Sequence, residues 1–239
     1  MLILGIDTTT KTASTAVFES DANLVLSEIK SCGGISHSEN LMPMIDYTLK
    51  CAGIKLKEID LFAVAHGPGS FTGIRIGVST VKGLAFGADI NNCVGVSSLL
   101  SLFNNINNCN NNYYSDVLIL PVIDARRKQV YNAVFNNSDK FKYIKDERII
   151  TVSELEAELN SEFTGRKIIF TGDGADMCYN EINFDGKIQV PDILKIPSAA
   201  SLCKTAYQIY KNGGAVHPRT LAPSYLIKTQ AEREYKSCQ

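Results

Sequence analysis

Apolar and polar positions alternate along the first thirty residues in the rhythm of strands. Leu2–Ile6 is a short apolar run, Ala13, Thr15 and Val17 follow with period two, and Leu24–Ile29 resumes the pattern after Ser20-Asp21-Ala22-Asn23. A period of two puts alternate side chains on one face, so these runs predict three antiparallel strands joined by tight turns. The period changes at Ser36-His37-Ser38-Glu39, which has the form of a capping box. Behind it Leu41, Met44, Ile45, Thr48, Leu49 and Ala52 share one helical face, and Gly53 closes the helix. Pro43 removes the bond to the Glu39 carbonyl and should bend the first turns. Leu61–Ala65 is a buried strand. A glycine-rich loop then opens a helix from Thr72 to Gly87, and Cys93–Val96 is the next strand.

Asn104–Asn112 carries seven Asn in nine residues. Such a tract offers little to pack and many local hydrogen-bonding alternatives, so it predicts a loop or a frayed helix end of compositional origin. Strands follow at Val117–Val122 and around Val130, Asn132 and Val134, then a helix at Ser153–Leu159 and a strand at Lys167–Thr171. Ser198–Asn212 is a helix with Leu202, Ala206, Ile209 and Tyr210 inward, stopped by Gly213-Gly214.

The two halves share a motif. Ile6-Asp7-x-x-x-Lys11-x-x-x-x-Ala16-Val17-Phe18 recurs 117 residues on as Ile123-Asp124-x-x-x-Lys128-x-x-x-x-Ala133-Val134-Phe135. Placed at the start of each half, it reads better as a duplication than as two amphipathic hairpins with similar turn chemistry. A duplicated β-β-β-α-β-α unit is the plan of the actin, hexokinase and heat-shock ATPase superfamily, whose paired hairpins hold nucleotide phosphates. Asp7, Thr8, Thr9 and Thr10 could serve such a role, since an Asp can hold a hydrated cation and turn donors can meet phosphate. They suit an ordinary hydrogen-bonded turn equally well. The opposing turn, Ala125-Arg126-Arg127-Lys128, is bulky and has no Gly for close phosphate approach.

Composition narrows the classes. The 24 basic and 25 acidic side chains leave a net charge of −1, which argues against a dedicated nucleic-acid binder. Hydrophobic residues at 45% are ample for a core. Seven Cys without a CxxC pair point to neither a disulfide framework nor a zinc ribbon, and to a reducing compartment. MLILGID has no basic leader, so it reads as a strand rather than a signal peptide, and no run is long enough for a membrane span. The expectation is a cytoplasmic protein.

His66-Gly67-Pro68-Gly69-Ser70-Phe71-Thr72-Gly73-Ile74-Arg75 follows a strand and opens a helix, where free amides favour an anion. Its spacing fits neither a P-loop nor a dinucleotide fingerprint. Within the helix Gly73, Gly77, Thr80, Leu84 and Gly87 form a stripe of mostly small residues. A helical glycine costs about 1 kcal/mol relative to Ala, so the stripe implies close approach of another backbone, either the first helix or another subunit. Thr171-Gly172-Asp173-Gly174 resembles an adenosine-side loop of the superfamily and also an ordinary turn. His66 and Ser70 could be nominated for a peptidase, yet no orienting partner is visible.

LGIDTT, HSENLMPMI, HGPGSFTGIRIGVSTVKGLAFG, PVIDARRKQVYNAVF and APSYL, in that order, resemble the bacterial TsaB (YeaZ) family across nearly the whole chain. The resemblance implies an α/β fold of duplicated actin-like (ribonuclease-H-like) β-β-β-α-β-α domains with mixed sheets, divided at 1–101 and 102–239, with the Asn-rich insertion 104–112 and a polar tail 227–239. It implies a non-catalytic subunit needed to form threonylcarbamoyladenosine beside the anticodon of tRNAs that read codons starting with A. Its partners would be TsaD directly, TsaE and TsaC in the same pathway, and a second copy of itself when TsaD is absent; tRNA would be met only indirectly. TsaD carries an HxxxH metal pair where this chain has Ser98 and Leu102, so no metal is expected. The partner surface implied is the first two helices: Leu41, Met42, Ile45 and Leu49, with Gly73, Gly77, Thr80, Leu84 and Gly87. Vestigial phosphate or nucleotide contacts would be Asp7, Thr8, Thr9, Gly67, Gly69, Ser70, Asp124, Gly172 and Gly174. No cofactor is expected on this chain alone, although ATP or ADP could lodge at the junction with TsaD. The alternative from another class is an ATP-dependent phosphotransferase or ATPase working through Asp7 and Asp124.

Overall fold

The structure, a computed structural model, describes residues 1–33, 36–107, 117–136 and 142–226. Positions 108–112 of the Asn tract and the tail 227–239 lie outside the described residues.

Two five-stranded mixed sheets carry the duplication. The first has the order β3-β2-β1-β4-β5, with β1 Leu2–Asp7, β2 Thr12–Glu19, β3 Leu24–Cys32, β4 Leu61–Gly67 and β5 Cys93–Ser97. The second repeats it as β8-β7-β6-β9-β10, with β6 Val117–Arg126, β7 Gln129–Asn136, β8 Tyr143–Thr151, β9 Lys167–Thr171 and β10 Lys187–Ile188. In each, a three-stranded antiparallel meander continues into parallel strands reached through helices. Pro121 sits in the central strand β6, where a proline removes a ladder donor. Its carbonyl is nevertheless satisfied, because the buried Asn132 side chain donates to it.

The helices form from the predicted signals with some changes. α1 (His37–Ala52) runs unbroken through Pro43 and ends on Gly53 in the left-handed region, φ 70°. The capping box expected there does not form: Ser36 Oγ meets Ser38 Oγ rather than a backbone amide. A true box caps α4 (Val152–Glu162), where Thr151 Oγ1 accepts from Glu154 N and Glu154 accepts from Thr151 N. α2 (Phe71–Gly87) is capped by Ser70, whose Oγ accepts from Gly73 N. α5 (Ala175–Glu181) and the short α6 (Asp192–Lys195) complete the second half before α7 (Ala199–Lys211).

α3 (Ser98–Asn107) corrects the reading of the Asn tract. Its first part is helical, and Asn104 and Asn105 are buried. Asn104 Nδ2 donates to Thr205 Oγ1 at 2.9 Å and Asn105 Nδ2 to the Ile196 carbonyl at 2.8 Å. These amides tie α3 to α7 and to the segment before it.

The packing crosses the halves. α1 and α2 cover one face of the first sheet over Leu4, Ile6, Phe62 and Val64. Its other face, carrying Ile3, Phe18, Leu61, Ala63 and Val94, is covered by Leu202, Cys203 and Ala206 of α7. α3 instead packs Leu99, Leu102, Phe103 and Ile106 onto the second sheet, whose opposite face holds α4 and α5. Glu28 of β3 accepts from Ser198 Oγ and Ala200 N, and Ser14 Oγ accepts from Ala199 N. A carboxylate at a helix N-terminus is favourably placed, so the start of α7 is fastened to the first sheet. Among the described residues, Cys32, Cys51, Cys93, Cys178 and Cys203 are free thiols, and no helix is long and apolar enough to cross a membrane.

Candidate functional site

Three turns meet between the two sheets: the β1–β2 turn after Asp7, the β6–β7 turn after Asp124, and the turn 172–174 after β9. Asp7 is fully buried. Its Oδ1 accepts from Thr9 N at 2.9 Å and Thr9 Oγ1 at 2.7 Å, while Oδ2 has no partner. Burial pushes its pKa up against the opposing pull of the Thr9 bonds and the nearby His37, and Asp173 across the turns adds to the rise. Asp173 is raised too, first by its own burial, although its Oδ1 accepts from Asp124 N at 3.0 Å and Lys11 lies within electrostatic reach.

The threonine hydroxyls of the first turn are bonded within the chain. Thr8 Oγ1 donates to the Gly73 carbonyl at 2.7 Å, Thr9 N and Oγ1 both donate to Asp7, and Thr10 Oγ1 donates to the Thr12 carbonyl at 3.4 Å while accepting from Thr12 N. The glycine-rich loop presses onto this turn. A Cβ on Gly69 would stand 2.4 Å from Thr9 O, and one on Gly73 would stand 1.9 Å from Thr8 O. Ser70 N donates to Thr9 O at 2.7 Å, which completes the seam. His37, at the first turn of α1, places Nε2 2.7 Å from Thr10 O and braces the turn from the other side.

The repeated Asp residues are not structural equivalents. Ile6 packs under α1 and α2, whereas Ile123 packs on the opposite face, with α3. Side chains alternate along a strand, so Asp7 and Asp124, each one residue on, leave their sheets by opposite faces. Pairing agrees: Ile6 faces Thr15, while Ile123 faces Tyr131 rather than Asn132. Asp124 is exposed, and its Oδ1 accepts from Arg126 N at 2.7 Å. The expected symmetric pair of acids is thus displaced by one residue, a shift invisible to identity matching.

Arg126, Arg127 and Lys128 all adopt φ between 54° and 67°. Left-handed backbone costs a non-glycine residue about 1–2 kcal/mol, so this turn is strained by its own composition. Gly172, at φ 108°, leaves room for Val122 O that a Cβ would take, and Gly174 lies beside Asp124 N. Both glycines pack the 172–174 turn onto β6.

Several residues expected at a partner surface are interior. Leu41 and Ile45 are core residues, and Gly73 and Gly77 are buried. A Cβ on Gly77 would meet Thr8 Oγ1 at 2.6 Å. The close approach that these two glycines allow is therefore to the β1–β2 turn, not to the first helix or another subunit. Met42 and Gly87 are exposed, whereas Leu49, Thr80 and Leu84 are partly covered. Sequence reasoning missed Tyr47, Phe71 and Phe86, which are exposed, and the clasp at the start of α2. There the Arg75 guanidinium lies 3.7 Å over the Phe71 ring and Nε donates to Tyr225 OH at 2.9 Å. Leu221 and Arg219 carbonyls accept from Lys82 Nζ, and Ser224 N donates to His66 O, so the segment after α7 lies along α2. Gly67, at φ 127°, leaves room for Ser224 O. The APSYL segment was the only sequence signal for that clasp.

The two residues nominated for a peptidase are each engaged elsewhere. Ser70 Oγ is the cap of α2, and His66, kept low by burial, is within bonding reach of the Ala222 backbone. Ser98 and Leu102 are buried, Leu102 against α3's neighbours in the second core. Among the described residues, no three His, Cys, Asp or Glu side chains are placed to hold a metal ion.

Two sheets of identical order, each built from a meander and parallel strands with helices on both faces, define a duplicated actin-like α/β protein. Solved structures share that fold: YeaZ from Pseudomonas aeruginosa superposes with a TM-score of 0.76 at 23% identity, over 94% of this chain and 99% of that one. The ethanolamine utilization protein EutJ from Carboxydothermus hydrogenoformans gives 0.52 at 9% identity, over 85% of this chain and 89% of that one. The family model for TsaD, described as tRNA N6-adenosine threonylcarbamoyltransferase, matches residues 22–235. Two proteins named tRNA threonylcarbamoyladenosine biosynthesis protein TsaB are similar: that of Escherichia coli at 28% identity over 95% of this chain and 94% of its own, and that of Bacillus subtilis at 32% over 72% and 71%. The chain belongs to the TsaB branch of the family that the model describes.

Proposed function

We propose that this protein is a non-catalytic subunit in the formation of threonylcarbamoyladenosine on tRNA, and that it works by binding TsaD. Its relatives' names supply the pathway. The observation that carries the non-catalytic role is the closed β1–β2 turn: the Thr8, Thr9 and Thr10 groups that would grip a phosphate are bonded within the chain. The partner surface in this reading is the exposed part of α1 and α2, with Met42 and Gly87 on it and the Phe71–Arg75–Tyr225 clasp beside the start of α2. Exposed aromatic and Arg groups held in fixed positions suit interface anchors. Self-association through the same face competes with TsaD, and the protein works in the cytoplasm.

Reconstitution of threonylcarbamoyl transfer with purified TsaD, TsaE and TsaC, with and without this chain, tests the reading. Transfer requires the chain, and Met42→Asp or Gly87→Trp weakens association with TsaD by roughly tenfold or more while leaving the melting temperature in place. Equal transfer without the chain refutes it. The ATPase alternative draws on the unpartnered Asp7 Oδ2. Micromolar Mg-ATP binding with turnover by the isolated protein, measured by calorimetry and phosphate release, would decide for that alternative.

A further inference from the structure

We propose that the β6–β7 turn is a phosphate contact for RNA, made by the guanidinium groups of Arg126 and Arg127. This rests on the tRNA-modification reading above and goes beyond the indirect contact expected from the near-neutral charge.

The backbone gives the first reason. Arg126 pairs with Gln129, so Arg127 and Lys128 are the two central residues of a tight hairpin turn, at φ 54° and 57°. Such turns favour Asn-Gly, which adopts positive φ with little strain. Here three consecutive long cations take the left-handed conformation instead, Arg126 included at 67°. Strain of this kind persists where surrounding contacts over-determine it, and it gathers at functional positions. The holding contacts are visible. Asp124 Oδ1 accepts from Arg126 N, Lys128 O accepts from Val152 N at 2.9 Å, and Asp173 Oδ1 accepts from Asp124 N.

The side chains give the second. Lys128 Nζ is committed to Glu181 at 3.1 Å. Arg126 and Arg127 are exposed, and among the described residues their guanidinium groups make no hydrogen bond or ion pair. Asp124 is two residues away, yet its Oδ1 accepts from the Arg126 backbone amide. The fold therefore spends its acids on holding the turn and leaves two forks facing solvent. A guanidinium fork matches the paired oxygens of a phosphate.

The same details choose between sources of phosphate. A free nucleotide needs backbone amides around its terminal phosphates. The Arg126 amide is occupied, and no glycine in the turn lets a phosphate approach. Asp124 and Asp173 stand beside the turn, and their charge opposes a compact triphosphate more than single phosphodiesters spaced along a strand. What fits is a polymer backbone passing outside the turn.

Binding of a labelled tRNA anticodon stem-loop, followed by anisotropy over a range of salt for the full chain alone and mixed with TsaD, tests this. Arg126→Gln with Arg127→Gln should weaken RNA binding by about five- to tenfold and make the salt slope shallower by roughly 1–2. Arg126→Lys with Arg127→Lys should keep the slope and recover part of the affinity. Arg127→Asn with Lys128→Gly should raise the melting temperature while still lowering affinity, which separates binding from folding. The proposal is overturned by unchanged affinity and slope in the double Gln variant, by absence of wild-type RNA binding in both mixtures, or by ATP or an acidic peptide displacing RNA at equal phosphate or carboxylate concentration. Transfer assays at saturating RNA keep the two readings apart: if transfer needs the chain but the Gln variant binds RNA normally, only the turn assignment fails.

Discussion

Asp7 condenses the chemistry of this protein into one side chain. One carboxylate oxygen is served twice by Thr9 and the other by nothing, in a fully buried position. Burial, the largest influence, lifts its folded-state pKa above the unfolded one. Such a group stabilises the fold fully only below the unfolded value, near 3.8, and that contribution is lost as pH rises through the folded value. At neutral pH the ionised form is a cost. Asp7→Asn, which keeps an oxygen for Thr9, should therefore raise the melting temperature at pH 7 by about 2–4 °C for each kcal/mol relieved, with the gain shrinking toward pH 4. Melts of both proteins at several pH values check it; a variant that melts lower at pH 7 would show that the charge is needed rather than tolerated. Nothing in the spacing around Asp7 announces the lone oxygen.

At the scale of elements, α2 shows why a sequence pattern can be right about a need and wrong about its source. The glycine stripe does permit close approach, but Gly73 and Gly77 meet the Thr8 turn, whereas Gly83 and Gly87 face open space. Gly73→Ala should lose about 1–3 kcal/mol from forced overpacking, while Gly83→Ala should gain about 1 kcal/mol of helix propensity. Urea titrations of the pair decide; similar effects at both positions would mean that the Thr8 contact is not tight. β1 was legible as an apolar run and β2 and β7 from their period of two, although all three are buried along most of their length. β8 was not, because its sequence YIKDERIIT keeps charged and apolar positions only partly covered at a sheet edge. The buried part of the Asn tract hid for the opposite reason: polarity predicts solvent, whereas Thr205 and Ile196, about ninety residues or more away, supply partners that let Asn104 and Asn105 go inside. The turn at Arg126–Lys128 gave no signal of its left-handed backbone, since Asn and Gly are the residues that mark it.

The whole molecule is joined by exchange rather than by a simple seam. α3 leaves the first half to cover the second sheet, and α7 returns to cover the first, over Ile3, Phe18, Leu61 and Val94. Residues 1–97 made alone, ending with β5, would expose that face, so the fragment should aggregate or remain unfolded. Adding a peptide of residues 197–213 in trans should restore solubility and the far-ultraviolet signal of the sheet. A soluble, cooperatively melting fragment without the peptide would contradict this account. The apolar core residues of both sheets were readable from the sequence, and so was the inward face of α7. Which sheet α7 would serve was not, because an amphipathic stripe states that it must be covered without naming the cover.

That returning helix also sets an order on biosynthesis. Roughly a hundred residues separate β5 from α7, and at about 5–20 residues per second the ribosome needs on the order of 5–20 s to add them. Throughout that interval the nascent first sheet carries an uncovered apolar face, long after its own strands have emerged. Synonymous codons that slow elongation across the second half lengthen the exposure, so they should lower soluble yield unless holdase chaperones are supplied; equal yields from fast and slow versions of the gene would contradict this.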